Sequence, residues 1–330
     1  EEITFTIPDL LAVPLGTTGK LPIKIARAGG FKGEVQLSLK GLPTGMTPPA
    51  SLVIPEGKNE VTAEIACDAD AAAIAGLITV DATMVLNGAR AIRAVKSLVM
   101  ASTMTSRIKI TPEGLDDVRK VRRGSTFLFP LLIERLEGFA GEITLEMTAK
   151  QQRHRQGLAS EELVVAADTK RVDYPIFVPE WMETTKTSRM ILNGRITQPD
   201  PKGNVRTLLQ RMELRLGILP EGAMMKLAHA PGEYTASPGS ELAIPLTVSR
   251  IAEFREPVVL ELVVPESLAG QITAQAMTLG ATESQGVLQI HFAETVAPMA
   301  EQSLVIRATA QQPGRGLVKS ETTVVVEIRK

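Results

Sequence analysis

The sequence predicts an all-β protein that contains three tandem copies of one antiparallel β-sandwich. Two observations carry this prediction: a set of landmarks that recurs three times, and a succession of short segments in which polar and apolar residues alternate. The chain has 330 residues, of which 44% are hydrophobic and 22% are charged. That composition is typical of folded domains, and the length suits two or three of them, each with its own core.

The first observation is the repeat. When residues 14–25, 122–133 and 237–248 are aligned, a glycine and a proline coincide in all three segments. A phenylalanine follows 15 residues after each glycine, and the copies are offset by 108 and then 115 residues. Because this agreement at three places is improbable by chance, one module is used three times. The landmarks are Gly16, Gly124 and Gly239, then Pro22, Pro130 and Pro245, then Phe31, Phe139 and Phe254.

The second observation is the alternation of polar and apolar residues at corresponding places in each copy. Alternation of this kind is the period of a half-buried strand, and no segment sustains a helical period. We expect about seven such strands in each copy. The matching segments are 60–67, 171–178 and 287–294, then 76–84, 188–197 and 303–311, and finally 94–102, 208–216 and 322–330.

Short strands separated by glycine, proline and aspartate indicate an immunoglobulin-like topology of roughly 100 residues per copy. The predicted domains are 1–104, 105–218 and 219–330, with short connections near 100–106 and 217–223. Short connections predict closely spaced, semi-rigid modules in an elongated array. The three strand prolines lack an N–H group, so we expect them on an edge strand or at a bulge.

Three motifs of the first copy carry a family resemblance. They are Gly-Phe-x-Gly-x-Val-x-Leu at 30–37, Gly-Leu-Pro-x-Gly at 41–45 and Pro-x-Gly at 55–57. In these motifs the chain resembles the immunoglobulin-like tandem repeats of secreted and surface proteins of bacteria. The second copy matches only over 138–147, and the third keeps only Phe254 and its alternating strands. The resemblance implies an extracytoplasmic location and a non-catalytic role, and it transfers no catalytic residues.

Charge and composition exclude several classes of function. The formal net charge is −1, which divides into −1 for residues 1–104, +4 for 105–218 and −4 for 219–330. The middle third is therefore mildly basic, far below the charge density of a nucleic-acid-binding domain. No run of 18 apolar residues occurs, so no membrane span is predicted. Aromatic residues make up only 3% of the chain, which disfavours a lectin-like aromatic platform.

The sequence contains no motif for a cofactor, a structural metal or a nucleophilic catalyst. Cys67, the lone cysteine, ends an alternating segment and is expected to be a small buried residue. Asp68 with Asp70, and Asp200 with Asn204, offer clustered oxygen atoms for calcium, but neither pair belongs to an EF-hand. We therefore predict no enzyme, although two distant carboxylates facing one cleft, as in a glycosidase, would leave no sequence motif.

Two basic segments of the second copy are candidates for contact with a partner. Loops at the ends of β-sandwiches often bind partners, and exposed arginines pair with carboxylate, sulfate or phosphate groups of a polymer. The alternative is a solvated surface without a partner, and whether the two segments share a face stays open. The candidates are Lys150, Arg153 and Arg155 in the first segment, and Arg119, Lys120, Arg122 and Arg123 in the second.

The lone tryptophan, Trp181, is a third candidate and lies between two predicted strands. An exposed indole there would stack against a sugar ring of a partner. Tryptophan is more often buried, however, so we expect Trp181 to close the end of a sandwich or to pack against the next domain.

These observations favour a non-catalytic spacer or interaction segment of a larger bacterial extracytoplasmic protein, which is secreted, periplasmic or on the cell surface. Its partners would then include the flanking domains of the same polypeptide. The alternative is a module that binds a polysaccharide or a protein through the basic segments of the second copy. A third hypothesis is an accessory domain of a secreted protease or glycosidase. No cofactor, metal ion or nucleic acid is expected.

Overall fold

The computed structural model describes the backbone of residues 3–86, 89–114, 119–148 and 157–329, and their side chains except at 86, 89–93 and 185–188. This part of the chain is built from strands, with a 3₁₀ turn at Glu266–Leu268. Among the described residues, no helix has the length and apolar character needed to cross a lipid bilayer. The all-β prediction is confirmed: the chain folds as three tandem immunoglobulin-like antiparallel β-sandwiches.

The first sandwich packs one sheet of order β1-β3-β7-β5 against another of order β2-β9-β8-β4-β6. Aliphatic side chains from both sheets, such as Leu21, Ile65 and Ile78, meet in a fully buried core. Its strands are β1 (Ile3–Thr6), β2 (Leu10–Pro14), β3 (Thr18–Arg27), β4 (Val35–Lys40), β5 (Met46–Thr47), β6 (Val53–Ile54), β7 (Glu60–Cys67), β8 (Ala75–Leu86) and β9 (Ala89–Thr103).

The strands of the second sandwich are β10 (Ile108–Pro112), β11 (Arg119–Arg123), β12 (Ser125–Arg135), β13 (Ile143–Met147), β14 (Leu163–Val165), β15 (Arg171–Val178), β16 (Thr185–Pro199) and β17 (Val205–Ala223). One sheet has the order β10-β12-β15, and the other has the order β11-β17-β16-β13-β14. Phe129 and Tyr174, which pair across β12 and β15, are among the largest buried side chains.

The strands of the third sandwich are β18 (Met225–His229), β19 (Tyr234–Ala236), β20 (Glu241–Arg250), β21 (Val258–Val263), β22 (Ile272–Ala274), β23 (Met277–Leu279), β24 (Gln285–Phe292), β25 (Met299–Gln312) and β26 (Gly316–Ile328). Its sheets have the orders β18-β20-β24-β22 and β19-β26-β25-β21-β23. Strand β12 also pairs with β26 at Ser125 and Val318, so one sheet continues from the second sandwich into the third.

The three copies share their topology, as the repeat predicts. In each, a short strand leaves the first sheet and pairs in parallel with the last strand of the second sheet: β2 with β9, β11 with β17, and β19 with β26. The landmark glycines are equivalent too, because each donates a backbone hydrogen bond to the last residue of one strand: Gly16 to that of β7, Gly124 to that of β15 and Gly239 to that of β24. Splitting the first strand in two raises the strand number above the expected seven.

By contacts, the chain divides into two compact units: residues 1–107 with 195–209, and residues 108–194 with 210–330. The second unit therefore contains the strands of the third sandwich and most of those of the second. Strand β17 continues through residues 217–223, where the sequence predicts a connection. The boundaries between the three predicted domains, at 104 and 218, stay a prediction.

The strand prolines lie in interior strands, so the expectation of an edge or a bulge is wrong. Pro130 and Pro245 stand one residue beyond the last pair that β12 and β20 make with their outer neighbours β10 and β18. Ala230 N donates to Pro245 O at 2.9 Å, so the Ala230 carbonyl faces the proline nitrogen that has no hydrogen. The hydroxyl of Tyr234 donates to that carbonyl at 2.7 Å instead. The tyrosine hydroxyl therefore takes the place of the N–H donor that proline lacks.

A further landmark of the repeat is an arginine four residues before each phenylalanine. Arg27 donates to the carbonyl of Gly33 at 2.6 Å, and Arg135 donates to that of Gly141 at 2.6 Å. In both copies the guanidinium lies over the landmark phenylalanine, 5.3 and 5.8 Å from the ring centre. Arg250 in the third copy donates to Gly280 O at 3.2 Å. Arg27 and Arg135 therefore close the turn that follows their strand, whereas Arg250 binds the turn between β23 and β24, and all three arginines are structural.

The Gly-Phe-x-Gly motif follows from the same turn. A Cβ on Gly33 or Gly141 would lie only 2.9 or 2.6 Å from the ring of the preceding phenylalanine. Glycine is thus required where the ring folds back over the backbone. In the third copy Glu256 replaces this glycine, and Phe254 is fully buried.

Candidate functional site: a basic groove in the second unit

Strand β11 separates the predicted basic segment into two faces. Successive side chains of a strand point to opposite sides, so Lys120 and Arg122 share one face, while Val121 is buried in the core on the other. Strand β11 pairs in parallel with β17, from Arg119 opposite Leu216. Two of the four predicted cations are therefore presented together.

Lys120 and Arg122 line a groove of about 300 Å³. A third cation, Arg315, joins them from the turn between β25 and β26 of the third sandwich, and the apolar lining includes Phe127 and Leu219. Among the described residues that line the groove, none is acidic. The groove therefore combines positive charge with a partly apolar floor, an arrangement that suits an anionic group carried on a larger ligand.

Arg315 is held in place by the turn around it. Gly314 and Gly316, with φ of 68° and 98°, allow the tight turn, and Arg315 N donates to Gln312 O at 3.1 Å. A Cβ on Gly316 would lie 3.3 Å from Thr126, whose hydroxyl donates to Leu317 O at 2.6 Å. The turn is thus fixed against β12, which brings Arg315 to the groove.

Arg315 could not be predicted from the sequence, because it lies about 190 residues from β11 in the chain and its position depends on the pairing of β12 with β26. The sequence feature that could have identified Arg315 is its place among the turn-forming residues of Pro313-Gly314-Arg315-Gly316. Such a turn is common at the surface, so the signal has little specificity.

Arg119 has a structural role instead. Its guanidinium donates to the carbonyls of Glu113 and Gly114 and lies 4.9 Å from the ring centre of Phe129. Glu113 N donates to Pro130 O, so the Glu113 carbonyl is the one that faces a proline nitrogen, as in the third copy. Arg119 replaces the hydrogen bond that Pro130 cannot donate.

The other predicted cations do not join the groove in the described structure. Arg123 is outside the groove lining, and its Nε is buried without a hydrogen-bond partner among the described residues. Lys150, Arg153 and Arg155 lie outside the described residues.

Trp181 is exposed, which makes the prediction of a packed tryptophan wrong. Its side chain is 68% exposed in the connection between β15 and β16. The indole lies over the backbone of Gly157, where an added Cβ would come within 2.2 Å of the ring. Trp181 lines a second recess of about 190 Å³ together with Glu180, Lys319 and Glu321.

Asp200, considered for calcium, is a structural carboxylate of the first unit. It accepts hydrogen bonds from Ala73 N at 3.1 Å, Asn204 N at 2.9 Å, Lys202 N at 3.0 Å and Arg206 Nε at 3.1 Å. Burial alone would raise the pKa of Asp200, but the hydrogen bonds from Asn204, Ala73 and Arg206 outweigh it and hold the pKa well below its usual range. Its oxygen atoms thus already have donors.

The remaining candidates for chemistry are dispersed. Cys67 is buried, as predicted, and burial, followed by the neighbouring charge of Asp68, raises the pKa of its thiol. Among the described residues, no three His, Cys, Asp or Glu side chains group as metal ligands would.

No protein-family model and no curated protein matches the chain. Among solved structures it is similar to an ICAM-5 D1–D4 ectodomain fragment, with 13% identity, coverage of 100% of this chain and 77% of that one, and a TM-score of 0.22. The D00–D0 domain of intimin is 11% identical, with coverage of 66% of this chain and 98% of that one, and a TM-score of 0.22. A protein of unknown function from Porphyromonas gingivalis W83 is 12% identical, with coverage of 67% of this chain and 100% of that one, and a TM-score of 0.23.

Proposed function

We propose that the chain is a non-catalytic interaction segment of a bacterial extracytoplasmic protein and that its basic groove binds an acidic polysaccharide. The observation that supports this function is the convergence of Lys120, Arg122 and Arg315 on one groove. These cations come from two sandwiches, and no described lining residue neutralises them.

The chemistry of the groove favours carboxylate or sulfate groups. The guanidinium groups of Arg122 and Arg315 can each donate two parallel hydrogen bonds to such a group, and Lys120 adds a point charge. The apolar side chains of Phe127 and Leu219 suit the apolar face of a sugar ring, which carries C–H groups. Nucleic acid is disfavoured, because three cations in a chain of net charge −1 fall short of the basic surface that a phosphate backbone requires.

A spacer role is the second candidate, and the sheet shared by β12 and β26 favours it. Lys319 N donates to Gly124 O at 2.9 Å next to the Ser125–Val318 pair, so two sandwiches are joined by backbone hydrogen bonds as well as by the chain. A joint of this kind resists bending more than a flexible linker does. The two roles are compatible, since a stiff segment can also present a binding groove. The bacterial and extracytoplasmic parts of the proposal rest on the motifs of the first copy.

The test is a binding assay with heparin as the sulfated polymer, polygalacturonate as the carboxylated polymer and dextran as the neutral one. The triple variant K120A/R122A/R315A is compared with K58A/K226A/R255A, which removes the same charge from exposed positions elsewhere. We expect the wild type and the control to bind an acidic polymer and to lose affinity as salt rises. The groove variant should lose most of that binding. Equal loss in both variants, or no binding to either acidic polymer, would refute the proposal.

A further inference from the structure

The recess beside Trp181 is a second site, formed by residues that the basic groove does not use. Trp181 is presented by a turn in which Met182 N donates to Pro179 O at 3.2 Å, and Pro179 and Met182 are both buried. An exposed indole between two anchored neighbours is held in place rather than left on a mobile loop. Gly157 lies beneath the ring, because any larger residue would displace it.

The polar groups around the indole are fixed as well. The hydroxyl of Ser320 donates to Glu180 Oε2 at 2.5 Å, and Ser320 is itself buried and accepts a hydrogen bond from Leu227 N at 2.8 Å. Lys319 Nζ lies 4.7 Å from the ring centre of Phe177 and 3.6 Å from Glu321 Oε1. The recess therefore offers one aromatic face with acceptors and a donor at its border, already oriented.

The charges in the recess favour a neutral ligand. Both carboxylates already have partners: Glu321 is balanced by Lys319 and by Arg307, whose Nε lies 2.7 Å from Glu321 Oε1, and Glu180 accepts the hydrogen bond from Ser320. A cationic peptide would gain little from a carboxylate that is already paired. A hydroxylated ring, in contrast, has an apolar face for the indole and hydroxyl groups that can both donate to carboxylates and accept from an ammonium.

We propose that Trp181, Glu180 and Lys319 form a subsite for one neutral pyranose ring of a polysaccharide. The volume of about 190 Å³ is below the usual size of a pocket for a complete small molecule, which fits one ring of a longer chain. The site is independent of the basic groove, since it needs no anionic group on the ligand.

The experiment uses the intrinsic fluorescence of Trp181, which is the only tryptophan in the chain. The full chain is titrated with cellohexaose, maltohexaose, mannohexaose and fully N-acetylated chitohexaose, all of them neutral, and the emission maximum and the quenching by acrylamide are recorded. With at least one of these sugars we expect a saturable blue shift and reduced quenching, both insensitive to salt. The variant K120A/R122A/R315A should respond as the wild type does.

Three variants test the geometry by calorimetry, which needs no tryptophan. W181A should bind the responding sugar at least roughly tenfold more weakly, and G157A should weaken it as well while keeping the indole. W181Y should restore part of the affinity, which a merely structural role would not predict. The proposal is overturned if no sugar changes the fluorescence, if W181A binds as the wild type does, or if only an arginine-rich peptide shields Trp181. None of these outcomes affects salt-dependent binding of acidic polymers, so the two proposals are tested separately.

Discussion

Replacing Gly124 by alanine should loosen the joint between the second and third sandwiches. Gly124 has a φ of 71°, and a Cβ there would lie 3.3 Å from the carbonyl oxygen of Lys319 and 3.6 Å from the Cβ of Ala223. A non-glycine residue in the left-handed region costs about 1–2 kcal/mol. Because the 3.3 Å contact is too close, the backbone must also shift and weaken the hydrogen bond from Lys319 N to Gly124 O, which adds about 1 kcal/mol.

The matched control is Gly138→Ala. Gly138 has nearly the same φ, 69°, but a Cβ there would have nothing within 4 Å. Both variants therefore carry the backbone strain, and only Gly124→Ala carries the contact. The expected difference of about 1 kcal/mol corresponds to roughly five- to tenfold faster exchange of the amide hydrogens near Lys319.

Hydrogen exchange followed by mass spectrometry on the full chain measures this difference. Peptides that include residues 317–320 should exchange faster in Gly124→Ala than in the wild type or in Gly138→Ala. Peptides from β3 and β7 of the first sandwich should exchange alike in all three proteins. If both alanine variants change exchange at 317–320 equally, or neither does, the argument that Gly124 is a steric requirement of the joint is refuted.

Two further predictions concern titrating groups of the first unit, Asp200 and Cys67. Asp200→Asn should lower the melting temperature at pH 7. Because the folded pKa of Asp200 is lowered, its contribution is complete above the unfolded value of about 4 and is lost as pH falls below it. The difference in melting temperature between wild type and variant should therefore shrink between pH 5 and pH 3, and a gap that widens there would contradict the assignment. Cys67 should react with a thiol reagent such as DTNB only slowly in the native protein and quickly in denaturant, since burial raises the pKa of its thiol. Rapid reaction under native conditions would show that the end of β7 opens.

The fold could be predicted from the sequence because its signal is local and repeated. Alternation within segments such as 60–67 and 171–178 identifies strands, and three copies in one chain supply a comparison that a single domain would not. The role of the arginine landmark is hard to predict, because its partners are backbone carbonyls, which have no side-chain motif. Arg27, Arg135 and Arg250 nevertheless share the repeat offsets, so the signal was present.

The candidate site could be predicted only in part. Lys120 and Arg122 follow from composition, but the assignment of Arg119 to a structural hydrogen bond depends on the carbonyl opposite Pro130. Tryptophan is buried on average, and this led to the wrong expectation for Trp181. Here the neighbours Pro179 and Met182 are buried and hold the connection in place, while the indole itself is exposed. Arg315 required knowledge of the tertiary pairing.

The landmark glycine has a different neighbour in each copy, and this constrains how such an array can change in evolution. In the first and third copies a Cβ on Gly16 or Gly239 would contact Ala69 or Glu294, which belong to the same sandwich. In the second copy the equivalent position, Gly124, contacts Lys319 of the following sandwich and accepts its backbone hydrogen bond. Recombination that separated the second copy from the third would break this backbone contact, so these two copies would have to be inherited together as a pair.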